Sequence, residues 1–354
     1  MAFSRFARTT STTTKKLLEN IKKGVRYVFQ TQNKYTFCIT GSGHTGMEAA
    51  ITNILDEGDV FMVAVHGVWG ERAAEMGTNL NAHVVKLPVK PGHTIPLDDI
   101  SEALRKHKPK LFYVCHGDSS TGTLQSLDGL GSLCRQHECL LLVDAVASLL
   151  AAPINCDEQG IDVLYSGSQK CLNAPAGLAL ITVSDKAVAV IKRKKRIASF
   201  YLNLLKIGDA WRCEGENYVY HNTPAISLLM QLHEALAIVT EKGLAKVIAQ
   251  HNAISQYMQT QLREAGLRLF VPNDEHRLSS VVVVYVPIGV SSTDVRRFLL
   301  EKYQIEIAAG FGKLKNDVWR IGIMGANATT FNCDILMKAL DTGLRVCRNA
   351  KSNL

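Results

Sequence analysis

Apolar segments of strand length alternate with segments of helical periodicity through the first half of the chain. Several of these segments are apolar throughout, as at 139–143, which is typical of parallel strands that are buried on both faces. The alternation predicts a mostly parallel sheet covered by helices. The predicted strands are 36–40, 60–65, 83–89, 110–115, 139–144, 162–165 and 178–183, with helices between them at, for example, 46–55, 70–80 and 97–106.

The pattern changes after Gly208. Two long helical stretches, 225–242 and 244–266, precede short strands and a closing helix, an order that predicts a smaller α+β domain. The later strands are predicted at 268–271, 280–286, 305–309 and 319–323, and the helix at 332–346. We therefore expect an α/β fold with three parts: a disordered or targeting segment at 1–18, a large domain at 19–215 and a small C-terminal domain at 216–354.

Composition narrows the class of protein. The chain has 354 residues, of which 47% are hydrophobic and 20% charged, as in an ordinary globular protein. No apolar run approaches the roughly 18 residues that span a bilayer. The net charge is +8, but the basic run at 192–196 continues a helical pattern and is interpreted as an exposed helix end. The nine cysteines include no Cys-x-x-Cys pair. We expect no metal, nucleic-acid or membrane partner.

Polar segments follow four of the predicted strands. They are 41–46 (Gly-Ser-Gly-His-Thr-Gly), 119–122, Asp144 and 166–170 (Ser-Gly-Ser-Gln-Lys). The carboxyl ends of parallel strands share one edge of a sheet, so these segments should converge there. The 41–46 loop opens a helix and suits an anion, although a plain tight turn is the alternative. It matches neither the motif of nucleoside triphosphate sites nor that of dinucleotide sites.

Two ionisable residues at this edge indicate chemistry. Asp144 follows five apolar residues, and a buried carboxylate needs a partner: a helix N-terminus, an arginine or a protonated pyridine nitrogen. Lys170 ends the next strand's loop and is followed by Cys171 and Leu172. Such neighbours desolvate an amine, which lowers its pKa and makes it nucleophilic.

With these segments the sequence resembles the class V (fold type I) pyridoxal-5′-phosphate (PLP) aminotransferases. Within that family it is similar to the alanine–glyoxylate and serine–pyruvate group, which includes insect 3-hydroxykynurenine transaminases. The resemblance extends from Lys16 to Arg348. It rests on the motifs at 41–44, 67–72, 116–122, 143–148, 166–170, 220–223 and 319–322.

The resemblance implies a role for each site residue. In the large, PLP-binding domain, Lys170 forms the Schiff base and then shuttles the proton, and Asp144 holds the pyridine nitrogen protonated. Trp69 stacks on one face of the ring and Val146 packs on the other, while Ser119 approaches the ring hydroxyl. The residues implied around the phosphate are Ser42, Gly43, His44 and Gln169.

The resemblance also implies how substrate and a second subunit contribute. Arg320 would bind the substrate carboxylate through a two-pronged salt bridge. Tyr220 and Thr223 would reach the phosphate of the neighbouring subunit, which implies a homodimer with shared active sites. Two departures from the family pattern, Ala176 and Asn222, remove none of these roles.

The activity implied is transfer of the amino group of alanine, or serine, to glyoxylate. A 3-hydroxykynurenine or kynurenine transaminase would share the cofactor residues and is the alternative. Members of the group usually carry a further N-terminal stretch with a Gly-Pro-Gly-Pro segment at the substrate site. An inactive PLP-fold dimer without that segment is therefore an alternative of another class. A cysteine desulfurase is disfavoured because 308–317 contains no cysteine.

The two ends of the sequence contain candidate targeting signals. Residues 352–354 (Ser-Asn-Leu) are similar to the peroxisomal Ser-Lys-Leu signal, and relatives that detoxify glyoxylate are often peroxisomal. The basic, acid-poor start at 1–18 resembles a mitochondrial transit peptide. We expect a peroxisomal location, with the mitochondrion as the alternative.

Overall fold

A seven-stranded sheet forms the centre of the larger part of the chain in the computed structural model, which describes residues 12–352. The strands of this part are β1 (Tyr35–Thr40), β2 (Val60–Val65), β3 (His83–Pro88), β4 (Leu111–Cys115), β5 (Gly117–Asp118), β6 (Thr123–Leu124), β7 (Leu140–Asp144), β8 (Val163–Gly167) and β9 (Leu178–Val183). The short strands β5 and β6 pair separately as a hairpin.

The order of strands across the large sheet is β1-β9-β8-β7-β4-β2-β3. Strand β9 runs antiparallel to both neighbours, β8 and β1, and the other neighbours pair in parallel. The prediction of a mostly parallel sheet is thus confirmed. Strands β4, β7 and β9 are buried along their whole length, as their apolar sequences require.

Helices cover both faces of this sheet. They are α1 (Thr12–Phe29), α2 (Gly43–Ile54), α3 (Val68–Asn79), α4 (Leu97–His107), α5 (Leu130–Gln136), α6 (Asp185–Arg193) and α7 (Leu204–Ala210). Helices α2 and α3 begin two or three residues before their predicted starts, so the loop glycines belong to their first turns. No helix within residues 12–352 has both the length and the apolar character that a bilayer crossing requires.

Two predictions for basic segments need correction in part. Residues 12–18 were expected to belong to a disordered or targeting segment, but they form the start of α1, where Leu18 is buried. Residues 1–11 lie outside the described part of the chain. The basic run does end α6, but the Lys194 side chain is largely buried and lies 3.2 Å from Asp56.

The remainder of the chain contains two long helices and the elements of a smaller antiparallel sheet. Its elements are α8 (Ile226–Lys242), α9 (Leu244–Glu264), β10 (Val281–Tyr285), α10 (Ser292–Tyr303), β11 (Ala308–Ala309), β12 (Val318–Gly322) and α11 (Thr330–Ser352). The sheet order is β10-β12-β11, and all pairs are antiparallel. The predicted strand at 268–271 is wrong. That segment makes one isolated bridge, from Leu269 to Val284, because Gly266 and Pro272 leave too short a run for a ladder.

The hydrophobic cores divide the chain later than the predicted boundary at 215/216. Leu229, Leu232 and Leu236 of α8 belong to the core of the large part. Met258 of α9 belongs to the core of the small part, together with Trp319. We therefore propose that the boundary between the domains falls within α9.

Candidate active site

A cavity of about 140 Å³ opens where the loops after β1, β2, β4, β7 and β8 meet at the carboxyl edge of the large sheet. Nine of the site residues predicted from the sequence line it: Ser42, Gly43, His44, Trp69, Ser119, Asp144, Val146, Gln169 and Lys170. Sequence segments that lie far apart are thus brought together at the edge where open parallel sheets bind ligands.

Asp144 is the last residue of β7 and is buried. Its Oδ2 accepts hydrogen bonds from the hydroxyls of Tyr165 (2.6 Å) and Tyr113 (3.2 Å), and its Oδ1 accepts one from the Val146 N–H (2.8 Å). Burial raises the pKa of Asp144 to about 6, although these hydrogen bonds favour the charged form. A carboxylate held in this way would gain from a positive charge in the cavity.

Lys170 lies half-buried in the loop between β8 and β9. Burial lowers the pKa of its amine, and the positive charge of Arg320 acts in the same direction. Asp144 opposes this shift. A larger share of the amine is therefore neutral and nucleophilic at neutral pH than for a solvated lysine.

The loop before α2 supplies the side of the cavity suited to an anion. Ser42 is the N-cap residue of α2, but its side chain caps no backbone N–H and stays available. Gly43 is buried against Val146, and a Cβ at Gly43 would lie 2.7 Å from the Val146 Cγ2 atom, so the close approach requires glycine. The positive end of the helix dipole adds to this site.

His44 and Arg72 form a pair beside the same loop. The Arg72 Nη1 lies 2.5 Å from His44 Nε2. Burial, and then the charge of Arg72, lower the pKa of His44. His44 is therefore neutral here and its Nε2 accepts the hydrogen bond from the guanidinium.

Trp69 forms an aromatic wall of the cavity from the first turn of α3. Its Nε1 donates a hydrogen bond to the Ser119 Oγ at 3.1 Å. The His44 ring packs edge-on at 5.4 Å between centroids, and the Arg72 guanidinium lies 5.0 Å from the indole centroid. The indole is therefore fixed at its edge, while it remains partly exposed to the cavity.

Arg320, on β12 of the small domain, lies beside the cavity without lining it. Its Nε donates to the Ala309 carbonyl (2.8 Å) and its Nη1 to the Ser119 carbonyl (2.9 Å), and its guanidinium lies 4.2 Å from the Phe311 ring centroid. These bonds use two of its five N–H groups. Burial lowers the pKa of Arg320, but an arginine stays charged and can bind an anion with the remaining groups.

Tyr220 and Thr223 lie apart from the cavity of their own chain. Tyr220 is 64% exposed, and its hydroxyl lies 3.1 Å from the Thr223 Oγ1. Neither residue lines the cavity.

The site has contact residues that were not predicted from the sequence, among them Tyr113, Tyr165 and Phe311. Tyr113 and Tyr165 carry a signal that could have found them, because a tyrosine in a strand buried on both faces needs a partner for its hydroxyl. Phe311 carries no such signal, since it stands in an irregular segment of the small domain.

Comparison with known proteins agrees with this geometry. A profile of the family described as Aminotransferase class-V matches residues 2–314. The alanine–glyoxylate aminotransferase of Callithrix jacchus is 44% identical over 96% of this chain and 82% of that protein. The protein of the same name from Drosophila melanogaster is 40% identical over 93% of this chain and 84% of that protein.

The fold of this chain is also similar to those of solved aminotransferase structures. The alanine–glyoxylate aminotransferase of Nostoc sp. superposes with a TM-score of 0.92 at 36% identity, covering 95% of this chain and 88% of that one. The ureidoglycine–glyoxylate aminotransferase of Bacillus subtilis gives a TM-score of 0.93 at 30% identity, covering 96% and 87%.

Proposed function

Because this chain belongs to the class-V aminotransferase family, we propose that it transfers the amino group of alanine to glyoxylate with PLP as cofactor. The observation that carries the proposal is a single cavity that contains the buried acid Asp144, the nucleophilic amine Lys170 and the aromatic Trp69. Glyoxylate appears in the names of the curated relatives and of two solved structures, which favours it as the acceptor.

The donor set of the cavity fits PLP. The cofactor has a phosphate, which the start of α2 with Ser42 and His44 would hold, and a ring nitrogen, which the buried Asp144 would keep protonated. Its aldehyde carbon is matched by the amine of Lys170. When bound, PLP supplies a ring that takes up the electron pair of the substrate Cα–H bond.

The residues of the chain supply cofactor attachment, proton transfer and substrate binding. Lys170 would attach the cofactor, and its free amine could accept the Cα proton and return it, because its lowered pKa increases the share of neutral amine. Asp144 would hold the proton at the ring nitrogen throughout. Arg320 binds a carboxylate, which alanine, pyruvate, glyoxylate and glycine all carry, so one site can serve both halves of the reaction.

The function is tested by adding substrates to the purified protein with PLP. Alanine should deplete the visible absorbance band of the attached cofactor and release pyruvate, and glyoxylate should restore the band and yield glycine. Serine and 3-hydroxykynurenine are compared as donors. Turnover with 3-hydroxykynurenine but not with alanine would favour the kynurenine alternative, and cofactor binding without turnover would favour the inactive dimer.

Replacing Arg320 should chiefly weaken substrate binding. Arg320→Lys keeps the charge that helps to lower the pKa of Lys170 but cannot reproduce the planar fork. A charged hydrogen bond to a carboxylate is worth roughly 1.5–3 kcal/mol, so the KM for alanine should rise about ten- to a hundredfold. Steady-state kinetics measure it, with the exposed Arg345→Lys as control. An unchanged KM for alanine would contradict this role.

We also propose a homodimer with shared active sites, supported by the exposed Tyr220 and Thr223, which do not reach their own cavity. Mixing Lys170→Ala protein with Tyr220→Ala/Thr223→Ala protein should restore activity, because one site in each mixed dimer then has all its residues. Random exchange should give about a quarter of the wild-type rate. A mixture no more active than its components would show that these residues do not act across subunits.

We propose a peroxisomal location, with the mitochondrion as the alternative. It rests on the sequence at 352–354, of which 353 and 354 lie outside the described residues. Of the candidate mitochondrial start at 1–18, residues 1–11 lie outside them as well. A fluorescent protein fused before residue 1 should give peroxisomal puncta, and deletion of 352–354 should disperse them. Puncta that survive the deletion would contradict the proposal.

A further inference from the structure

The hairpin β5–β6 lies against the start of α3 and supplies the hydrogen-bond acceptor that caps this helix. The N-cap residue of α3 is Gly67, which has no side chain to bind the first N–H groups of the helix. Ser120, in the hairpin turn, takes that place: its Oγ accepts a hydrogen bond from the Val68 N–H at 3.1 Å. A serine that lies 52 residues after Val68 therefore caps the helix that carries Trp69.

Ser120 is in turn held by Asp118. The Asp118 Oδ1 accepts hydrogen bonds from the backbone N–H of Ser120, at 2.8 Å, and from its hydroxyl. The hydroxyl thus donates to the carboxylate and is left to accept from Val68, which fixes its direction. Asp118 itself is fully buried in the structure.

The carboxylate of Asp118 lies directly against the helix start. A Cβ added at Gly67 would overlap the Ser120 Oγ and would lie 2.8 Å from the Asp118 Oδ2. That Oδ2 has no hydrogen-bond partner among the described residues. Burial raises the pKa of Asp118, while the Ser120 hydrogen bonds and nearby His66 lower it. An acid at so costly a position indicates a specific use. The positive end of α3 lies against it, and His66 and the charge of Arg320 also act on it.

Ser119, which lies between Asp118 and Ser120, connects the hairpin to both sides of the cavity. The Ser119 Oγ accepts the hydrogen bond from the Trp69 indole, and its carbonyl accepts the one from Arg320. We propose that Asp118, acting through Ser120, is a positioning residue that fixes the Trp69 indole and thereby the affinity for the cofactor. The link to cofactor affinity rests on the proposed function, whereas the fixing of Trp69 does not.

The first experiment uses the protein without cofactor. The chain has three tryptophans, so 5-fluorotryptophan labelling gives three ¹⁹F resonances, and Trp69→Phe assigns one of them. Ser120→Ala and Asp118→Ala should shift or broaden the Trp69 resonance. Trp319, which is buried in the small domain and bonded to Ser292, should not change. Asp118→Asn keeps an acceptor for Ser120 and should stay closer to wild type.

The second readout is the dissociation constant for PLP, measured by fluorescence titration. A lost cap should weaken PLP binding about five- to tenfold in Ser120→Ala and Asp118→Ala. Thr121→Val is the matched control, because Thr121 is buried in the same hairpin but bonds to Thr123 and not to α3. It should leave the Trp69 resonance and PLP affinity unchanged.

The outcomes separate this proposal from the proposed function. A Trp69 resonance unchanged in both Ser120→Ala and Asp118→Ala overturns the positioning role, even if the enzyme is active. Equal changes at all three tryptophans, or an equal effect of Thr121→Val, also overturn it, because they indicate general loosening. Should Asp118→Ala fail to fold, Ser120→Ala decides the matter alone. If the variants change the Trp69 resonance as expected but the wild-type protein binds no PLP, that result counts against the proposed function only.

Discussion

Lys170→Ala is expected to abolish covalent attachment of PLP and amino transfer together. Lys170 is the lysine that lines the cavity, and the nearby Arg320 cannot replace it because a guanidinium stays protonated. Loss of the nucleophile and of the proton carrier should lower kcat by at least about a thousandfold. The fold should persist, since the change removes a desolvated cation that lies near Arg320.

The measurement combines turnover with chemical trapping. Borohydride reduction of the wild-type protein with PLP, followed by peptide mapping, should label Lys170. Lys195→Ala, at an exposed lysine, serves as control and should retain activity. A label on another lysine, or turnover in Lys170→Ala near that of the control, would refute the assignment.

Asp144→Asn is expected to separate stability from activity. The amide is similar in size, and its oxygen can still accept hydrogen bonds from Tyr165 and Tyr113. Its NH₂ group cannot accept the bond from the Val146 N–H, and the neutral side chain cannot compensate a positive charge at the ring nitrogen. Removing one partner of a buried ion pair costs about 3–5 kcal/mol, which corresponds to a fall in turnover of roughly 10²- to 10⁴-fold.

Asp144→Asn should lower turnover but increase the stability of the cofactor-free protein at alkaline pH. The pKa of Asp144 is raised from 3.8 to about 6 on folding, so its contribution to stability is present below pH 4 and is lost as the pH rises through 6. Asp144→Asn has no such loss and should be more stable than wild type at pH 8, by up to roughly 3 kcal/mol. Urea unfolding at pH 4 and pH 8 measures this. Near-normal turnover of Asp144→Asn would contradict the role. So would a free energy of unfolding that falls between pH 4 and pH 8 by the same amount in the variant as in wild type.

The sequence predicted the large sheet well because its strands are continuous apolar runs. The 139–144 run and β7 (Leu140–Asp144) nearly coincide. Convergence of the loops followed from parallel topology alone. The failures lie where the backbone is irregular, as at 268–271, where two hydrogen bonds to β10 replace a ladder: Phe270 N–H to the Val283 carbonyl and Tyr285 N–H to the Arg268 carbonyl.

The hydrogen-bond partners of Asp144 could not be predicted from the sequence, for another reason. The sequence indicated that the carboxylate needed a partner and offered a helix end or an arginine. The structure supplies two tyrosines instead, because β4 and β8 are the neighbours of β7. Strand order is set by the packing of the whole sheet, and no local pattern in the chain encodes it. Likewise, whether Tyr220 serves its own cavity or another depends on assembly.

The reversed strand β9 has a consequence for folding and for handling the protein. It pairs with β8 through a short local connection, but with β1 across a long stretch of chain, Tyr35 opposite Val183. Long-range pairing is slow, so β9 should present an unpaired edge while the rest of the sheet is forming. All six residues of β9, Leu-Ala-Leu-Ile-Thr-Val, are buried in the finished fold. Such a segment is a template for intermolecular strand pairing, so shortening the chain past β1 should favour aggregation during expression.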